Sequence, residues 1–119
     1  MNNSVNRFSL DLNSQDSQVY VTVRQTDTAK GLSVMLTESG TPYIIAEGTT
    51  AVLAARKPDG TYISADCSIT GNRIELTLPA QFTENAGRLS ACFGLSGNNH
   101  SLTSPPFTIY VDPPAAQAE

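Results

Sequence analysis

Hydrophobic and polar residues take turns along most of this chain. Val19, Val21 and Val23 alternate with Tyr20, Thr22 and Arg24, and Leu32, Val34 and Leu36 with Ser33, Met35 and Thr37. Ile74, Leu76 and Leu78 alternate with Arg73, Glu75 and Thr77, and Phe107, Ile109 and Val111 with Thr108 and Tyr110. Phe8, Leu10 and Leu12 repeat the pattern near the N-terminus. Successive side chains of a strand point to opposite faces, so a period of two predicts strands with one face on a core and one in water. Turn residues separate the runs: Glu38-Ser39-Gly40, Lys57-Pro58-Asp59-Gly60-Thr61, Thr70-Gly71-Asn72 and Ser96-Gly97-Asn98-Asn99. In the second of these, proline pre-sets φ and glycine takes the left-handed conformation that closes a hairpin. The short, regular spacing predicts an all-β sandwich or barrel.

Two segments break the rhythm. Pro79–Gly87 predicts a single helical turn, capped by Thr83 or Asn85 and ended by Gly87, crossing between sheets. Residues 46–57 carry Ala46, Ala51, Ala54 and Ala55, where a helix competes, but Pro58 and Gly60 predict a strand feeding a hairpin. Residues 1–112 read as a single β-sandwich domain and 113–119, with Pro113 and Pro114, as a Pro/Ala-rich tail or linker.

Composition narrows the function. Only 15% of the 119 residues are charged, so an apolar share of 39% fits a polar-faced β domain and not a disordered chain. The net charge is −4, and the seven basic residues are scattered, with only Arg56 and Lys57 adjacent. A nucleic-acid binder carries a basic stripe and a membrane-surface protein a basic cluster, so neither partner is expected. The first residues lack the apolar run of a signal peptide, and no stretch is long enough to span a membrane. Strand parity puts Cys67 on the face of Ile63, Ala65 and Ile69, and Cys92 out of phase with Leu89, Ala91 and Phe93, which predicts free thiols.

The chain offers little for catalysis. His100 is the single histidine, placed after a turn, and has no second ligand or Cys-x-x-Cys pair to make a metal site. Asp11, Asp16 and Asp27 lack calcium-loop spacing. Glu38, Glu47, Glu75 and Glu84 read as solvated carboxylates. No enzyme, cofactor or metal site is expected. The four phenylalanines read as core. Tyr20, Tyr62 and Tyr110 are the candidate surface-contact residues, because an outward tyrosine can meet a protein or a glycan.

The order of these motifs resembles a known family. Val21-Thr22-Val23-Arg24-Gln25-Thr26-Asp27-Thr28, then Leu32 to Thr37 with Glu38-Ser39-Gly40-Thr41-Pro42-Tyr43, is similar to the start of the phage baseplate upper protein N-terminal domain. Ser39 stands where that family usually has Asn or Asp. Lys57-Pro58-Asp59-Gly60-Thr61, Ile74 to Pro79, Gly87-Arg88-Leu89 and Ser104-Pro105-Pro106-Phe107 to Val111 continue the series over roughly residues 7–112. The resemblance implies an immunoglobulin-like antiparallel two-sheet β-sandwich. It further implies a non-catalytic adaptor in a virion tail baseplate, made in the bacterial host cytoplasm. Its partners would be other phage baseplate or tail proteins, with self-association into a homo-oligomer such as a trimer. Because no receptor-binding portion follows Asp112-Pro113-Pro114, attachment is the role expected of this chain. A second expectation is a carbohydrate-binding β-sandwich for host-cell surface glycans, with Tyr20, Tyr62 or Tyr110 beside carboxylates or amides.

Overall fold

Each alternating run becomes a strand in a computed structural model of the chain, which describes residues 4–13, 19–24, 30–97 and 100–112. The strands are β1 (Ser4–Asp11), β2 (Tyr20–Arg24), β3 (Lys30–Glu38), β4 (Thr41–Pro42), β5 (Thr50–Arg56), β6 (Tyr62–Thr70), β7 (Arg73–Thr77), β8 (Gly87–Gly97), β9 (His100–Thr103) and β10 (Phe107–Asp112). The Ala-rich segment is strand β5, in which Ala51, Leu53 and Ala55 are buried and Ala54 and Arg56 exposed. The readings that fall on Asp16, Asp27, Asn98, Asn99 and residues 113–119 lie outside the described residues.

The strands pair in one path, β1-β3-β7-β6-β5-β8-β10-β2, with β4 beside β3 and β9 beside β8. The architecture is all-β and nearly barrel-shaped. Two separate sheets were the expectation; instead β6 serves both halves. Its residues Tyr62 to Cys67 pair with β5, and Ser68 to Thr70 pair with β7. One half therefore holds β1, β3, β7 and the end of β6, and the other holds β5, β8, β10 and β2 (the A half and the B half below). The Phe8 ring of β1 lies 5.1 Å from Phe107 of β10, and Phe107 stacks 5.5 Å from Phe93 of β8. These contacts close the two halves over one core, together with buried Leu10, Val34, Leu53, Ile74, Leu89 and Ile109.

Pairing is not wholly antiparallel as expected. β1 runs parallel to β3, and β2 parallel to β10. The reason is that β2 leaves the A half and joins the far edge of the B half. The chain thus reverses twice between β1 and β3. The helical turn also differs from its expectation. It is a 3-10 turn at Ala80–Phe82 with no side-chain cap at its start, and Thr83 ends it, its hydroxyl donating to the Ala80 carbonyl at 3.4 Å. Fully buried Phe82 anchors the turn in the core, which draws it toward Pro79 and leaves Asn85 outside it. Gly87 opens β8 at φ +132°, where a Cβ would approach Pro58 Cγ to 3.1 Å.

The β3–β4 hairpin shows how β1 is fastened. Ser39 and Gly40 form its two-residue loop at φ +50° and +87°, the left-handed pair of a type I′ turn. Ser39 is a poor residue for that conformation, and β1 compensates. The Asp11 carboxylate accepts hydrogen bonds from the Ser39 and Gly40 amides at 3.1 and 2.9 Å, and from Thr37 Oγ1 at 3.1 Å. Asn13 donates its side-chain amide to Ser39 Oγ at 2.7 Å, and its own backbone amide bonds Asp11 at 2.9 Å. Backbone donation, first from Asn13, holds the Asp11 carboxyl below its ordinary 3.8.

A lowered carboxylate pKa contributes stability above the unfolded value, lost as pH falls through the folded one. Asp11→Asn is therefore expected to melt at a lower temperature than the wild type near neutral pH. The difference should narrow well below pH 3.8, where both side chains are neutral. Thermal melts across that range check this, and a gap that stays constant would contradict it.

Candidate functional site

The B half turns its small and aromatic side chains outward in register. One row crosses five strands: Tyr62 of β6, Arg56 of β5, Ser90 of β8, Thr108 of β10 and Tyr20 of β2. The next row holds Arg88, Tyr110 and Thr22. Tyr62 is 75% exposed and Tyr20 51% exposed, the largest exposed aromatics among the described residues. These positions follow from parity alone. The inward neighbours Ala55, Leu89, Ala91, Ile109 and Val21 are buried, so Arg56, Arg88, Ser90, Tyr110 and Tyr20 must face away.

The outward residues organise one another. The Tyr20 and Tyr110 rings lie 6.1 Å apart, tilted by 38°. The Arg88 guanidinium sits 5.9 Å from the Tyr20 ring centroid and donates from Nε to the Tyr20 hydroxyl at 3.3 Å. Arg56 sits 5.9 Å from the Tyr62 ring centroid. An arginine over an aromatic face is held by the ring quadrupole while its fork of donors stays available. Beside the Tyr62–Arg56 pair opens a notch of about 290 Å³ lined by Ala54, Arg56, Tyr62, Ser90, Cys92 and Pro106. Its wall is mostly apolar.

All three tyrosines singled out from the sequence thus share this face. Tyr20 and Tyr110 are brought together, and Tyr62 stands at the opposite end of the row. Arg56 and Arg88 were missed. The signal was their position in phase with the tyrosines, but which strands pair is not visible in one sequence.

The A half presents a different outer surface. Arg7, Ser33, Glu75 and Ser68 form a row across β1, β3, β7 and β6, beside an open concavity of about 350 Å³. Ser33 is buried although it is out of phase with Leu32 and Val34. It donates to Glu75 Oε2 at 3.2 Å and accepts from Arg73 Nε at 2.7 Å. Here the charges satisfy one another through a shared hydroxyl.

The remaining reactive groups are scattered. His100 is exposed on β9, opposite Gly97. Cys67 and Cys92 are free thiols on opposite faces. Burial pushes the Cys67 thiol up to about 11 and raises Cys92 as well, which keeps both protonated at neutral pH. Among the described residues, no group of three His, Cys, Asp or Glu is placed to hold a metal ion. No helix among them is long and apolar enough to cross a membrane.

An exposed face contributes little to folding. Tyr62→Ala is expected to cost less than about 1 kcal/mol, because an exposed cation–π pair is worth little. Phe93→Ala, which empties the core stack on the reverse side of the same sheet, is expected to cost about 3–5 kcal/mol. Urea unfolding of both variants checks the contrast. Equal losses would place Tyr62 in the fold's own packing.

A family model described as the BppU N-terminal domain matches residues 5–118. Among solved structures, the chain is similar to the N-terminal domain of phage TP901-1 ORF48, with a TM-score of 0.71 and 13% sequence identity. That likeness covers 92% of this chain and 99% of the other, and at such identity it concerns the fold alone. No curated protein matches.

Proposed function

This chain belongs to the baseplate upper protein N-terminal domain family, which makes it a structural component of a phage tail baseplate, and we propose that it serves there as a non-catalytic adaptor. In this reading residues 1–112 are the folded adaptor and 113–119 a linker. The chain binds other baseplate or tail proteins in the virion and self-associates, as a trimer, in the assembled tail.

The outer face of the B half carries the proposal. It gathers three tyrosines and two arginines on one sheet face, the residue types that dominate protein–protein binding energy. The neighbours of the rings also favour a protein partner. A sugar platform would set Tyr20, Tyr62 or Tyr110 beside carboxylates or amides, whereas here the rings carry guanidiniums.

We also read the fold as an immunoglobulin-like sandwich with one shared strand. The order β1-β3-β7-β6 corresponds to strands A-B-E-D of such a domain, and β5-β8-β10 to C-F-G. The bond between β6 and β5 joins what are otherwise separate sheets.

Co-expression with the other tail proteins of its virion tests the adaptor role. Size-exclusion chromatography with light scattering is expected to find the chain in a complex of defined mass, holding several copies of it. A chain that elutes alone from every such mixture would contradict the proposal.

A further inference from the structure

We infer that the outer face of the B half receives an acidic segment of a different protein, one that carries an apolar side chain next to its carboxylates. The inference rests on the adaptor reading and names the chemistry of its partner.

Arg56 is directly opposite Ser90, and Arg88 is two residues before Ser90 on the same strand. The two guanidiniums are therefore diagonal neighbours, with backbones about 7–8 Å apart, a spacing at which long side chains interact. Like charges so placed repel one another, and neither has a carboxylate within ion-pair distance among the described residues, where the one ion pair joins Lys57 to Glu84. Each leans instead on a tyrosine ring, which orients it without neutralising it. This contrasts with the A half, where Arg73 and Glu75 meet at Ser33.

Charge on the whole chain sharpens the point. The protein carries −4, yet this face turns Arg24, Arg56 and Arg88 outward against Asp66 and Asp112. Asp112 is in register with Arg24, and Asp66 is in register with Val52, two rows away from Arg56. Asp112 is also one row from Arg88, so the face keeps an excess of one positive charge, and Arg56 is the arginine farthest from a carboxylate. A carboxylate can take a bidentate bond from each guanidinium, and the notch of about 290 Å³ on the side of Arg56 away from Arg88 is large enough for one apolar side chain. A second copy docked through the same face would set these arginines against their own equivalents, so a two-fold self-contact is disfavoured.

The test uses the chain co-expressed with the other tail proteins of its virion. Four forms are compared for complex formation: wild type, Arg56→Glu/Arg88→Glu, Arg56→Lys/Arg88→Lys, and Arg7→Glu on the opposite face. Benzoylphenylalanine in place of Tyr62 identifies what lies on the face by photocross-linking and mass spectrometry. The double charge reversal is expected to weaken the complex on the order of 100-fold. The lysine pair should retain part of the affinity, and Arg7→Glu should leave it unchanged. Wild-type binding should fall as salt rises from about 50 to 500 mM. The cross-linked segment should contain Asp or Glu and belong to another protein.

Full assembly by the double reversal would overturn the inference while leaving the adaptor reading intact. So would a cross-link to a second copy or to a segment without carboxylates, or tighter binding of a labelled oligothymidylate to the isolated chain. A wild-type chain that assembles with nothing would instead remove the adaptor reading itself.

Discussion

A strand can show each side chain to only one face, and this molecule depends on the phase kept by β8. That strand borders β5, β9 and β10, and it sends Leu89, Ala91, Phe93 and Leu95 inward. Phe93 meets Phe107 at 5.5 Å, and Phe107 meets Phe8 from the other half. A slip of one residue would expose Phe93 and drive Arg88 and Ser90 into the core. Burial of an unpaired guanidinium costs far more than any contact on the far side could return. The aromatic stack thus decides where the arginines stand, and the proposed contact face is a consequence of the core.

Two devices hold this arrangement together. β6 changes partners along its length, so the halves are joined through backbone hydrogen bonds as well as through side chains. Its inward residues Ile63, Ala65, Cys67 and Ile69 are only partly buried, as befits a strand at the bend between two layers. Asp11 ties β1 to the β3–β4 turn and supports Ser39 in a left-handed conformation that serine adopts reluctantly. The Asp11 device lies away from the outer face of the B half, whereas β6 contributes Tyr62 to it.

Much of this was legible in the residues. Alternation gave each principal strand its position and its buried side, because period two is a local property. Lys57-Pro58-Asp59-Gly60-Thr61 was readable for the same reason: the turn closes through Gly60 at φ +92° and a bond from Lys57 to Thr61. Strand pairing was not readable. The parallel pairs of β1 with β3 and β2 with β10, and the double service of β6, depend on contacts distant in sequence. The 3-10 turn fell before Asn85 because buried Phe82 fixes it next to Pro79, and Thr83 closes its end instead of opening it. At the candidate site Tyr20 and Tyr110 were found by their phase. Their arginines were not, since Arg56 and Arg88 are separated by 32 positions and meet only through the β5–β8 register.

The proposed adaptor role needs a rigid sheet and an outer surface open to contact, and in this account the two faces of the B half divide those tasks. Hydroxyl-radical footprinting of the free chain and of the assembled tail tests that division most directly. The account predicts that Tyr20 and Tyr62 are oxidised readily in the free chain and protected on assembly, while Phe93 and Phe107 stay protected in both. Tyrosines that remain equally reactive in the assembled tail, with protection appearing around Arg7 and Ser68 instead, would contradict it.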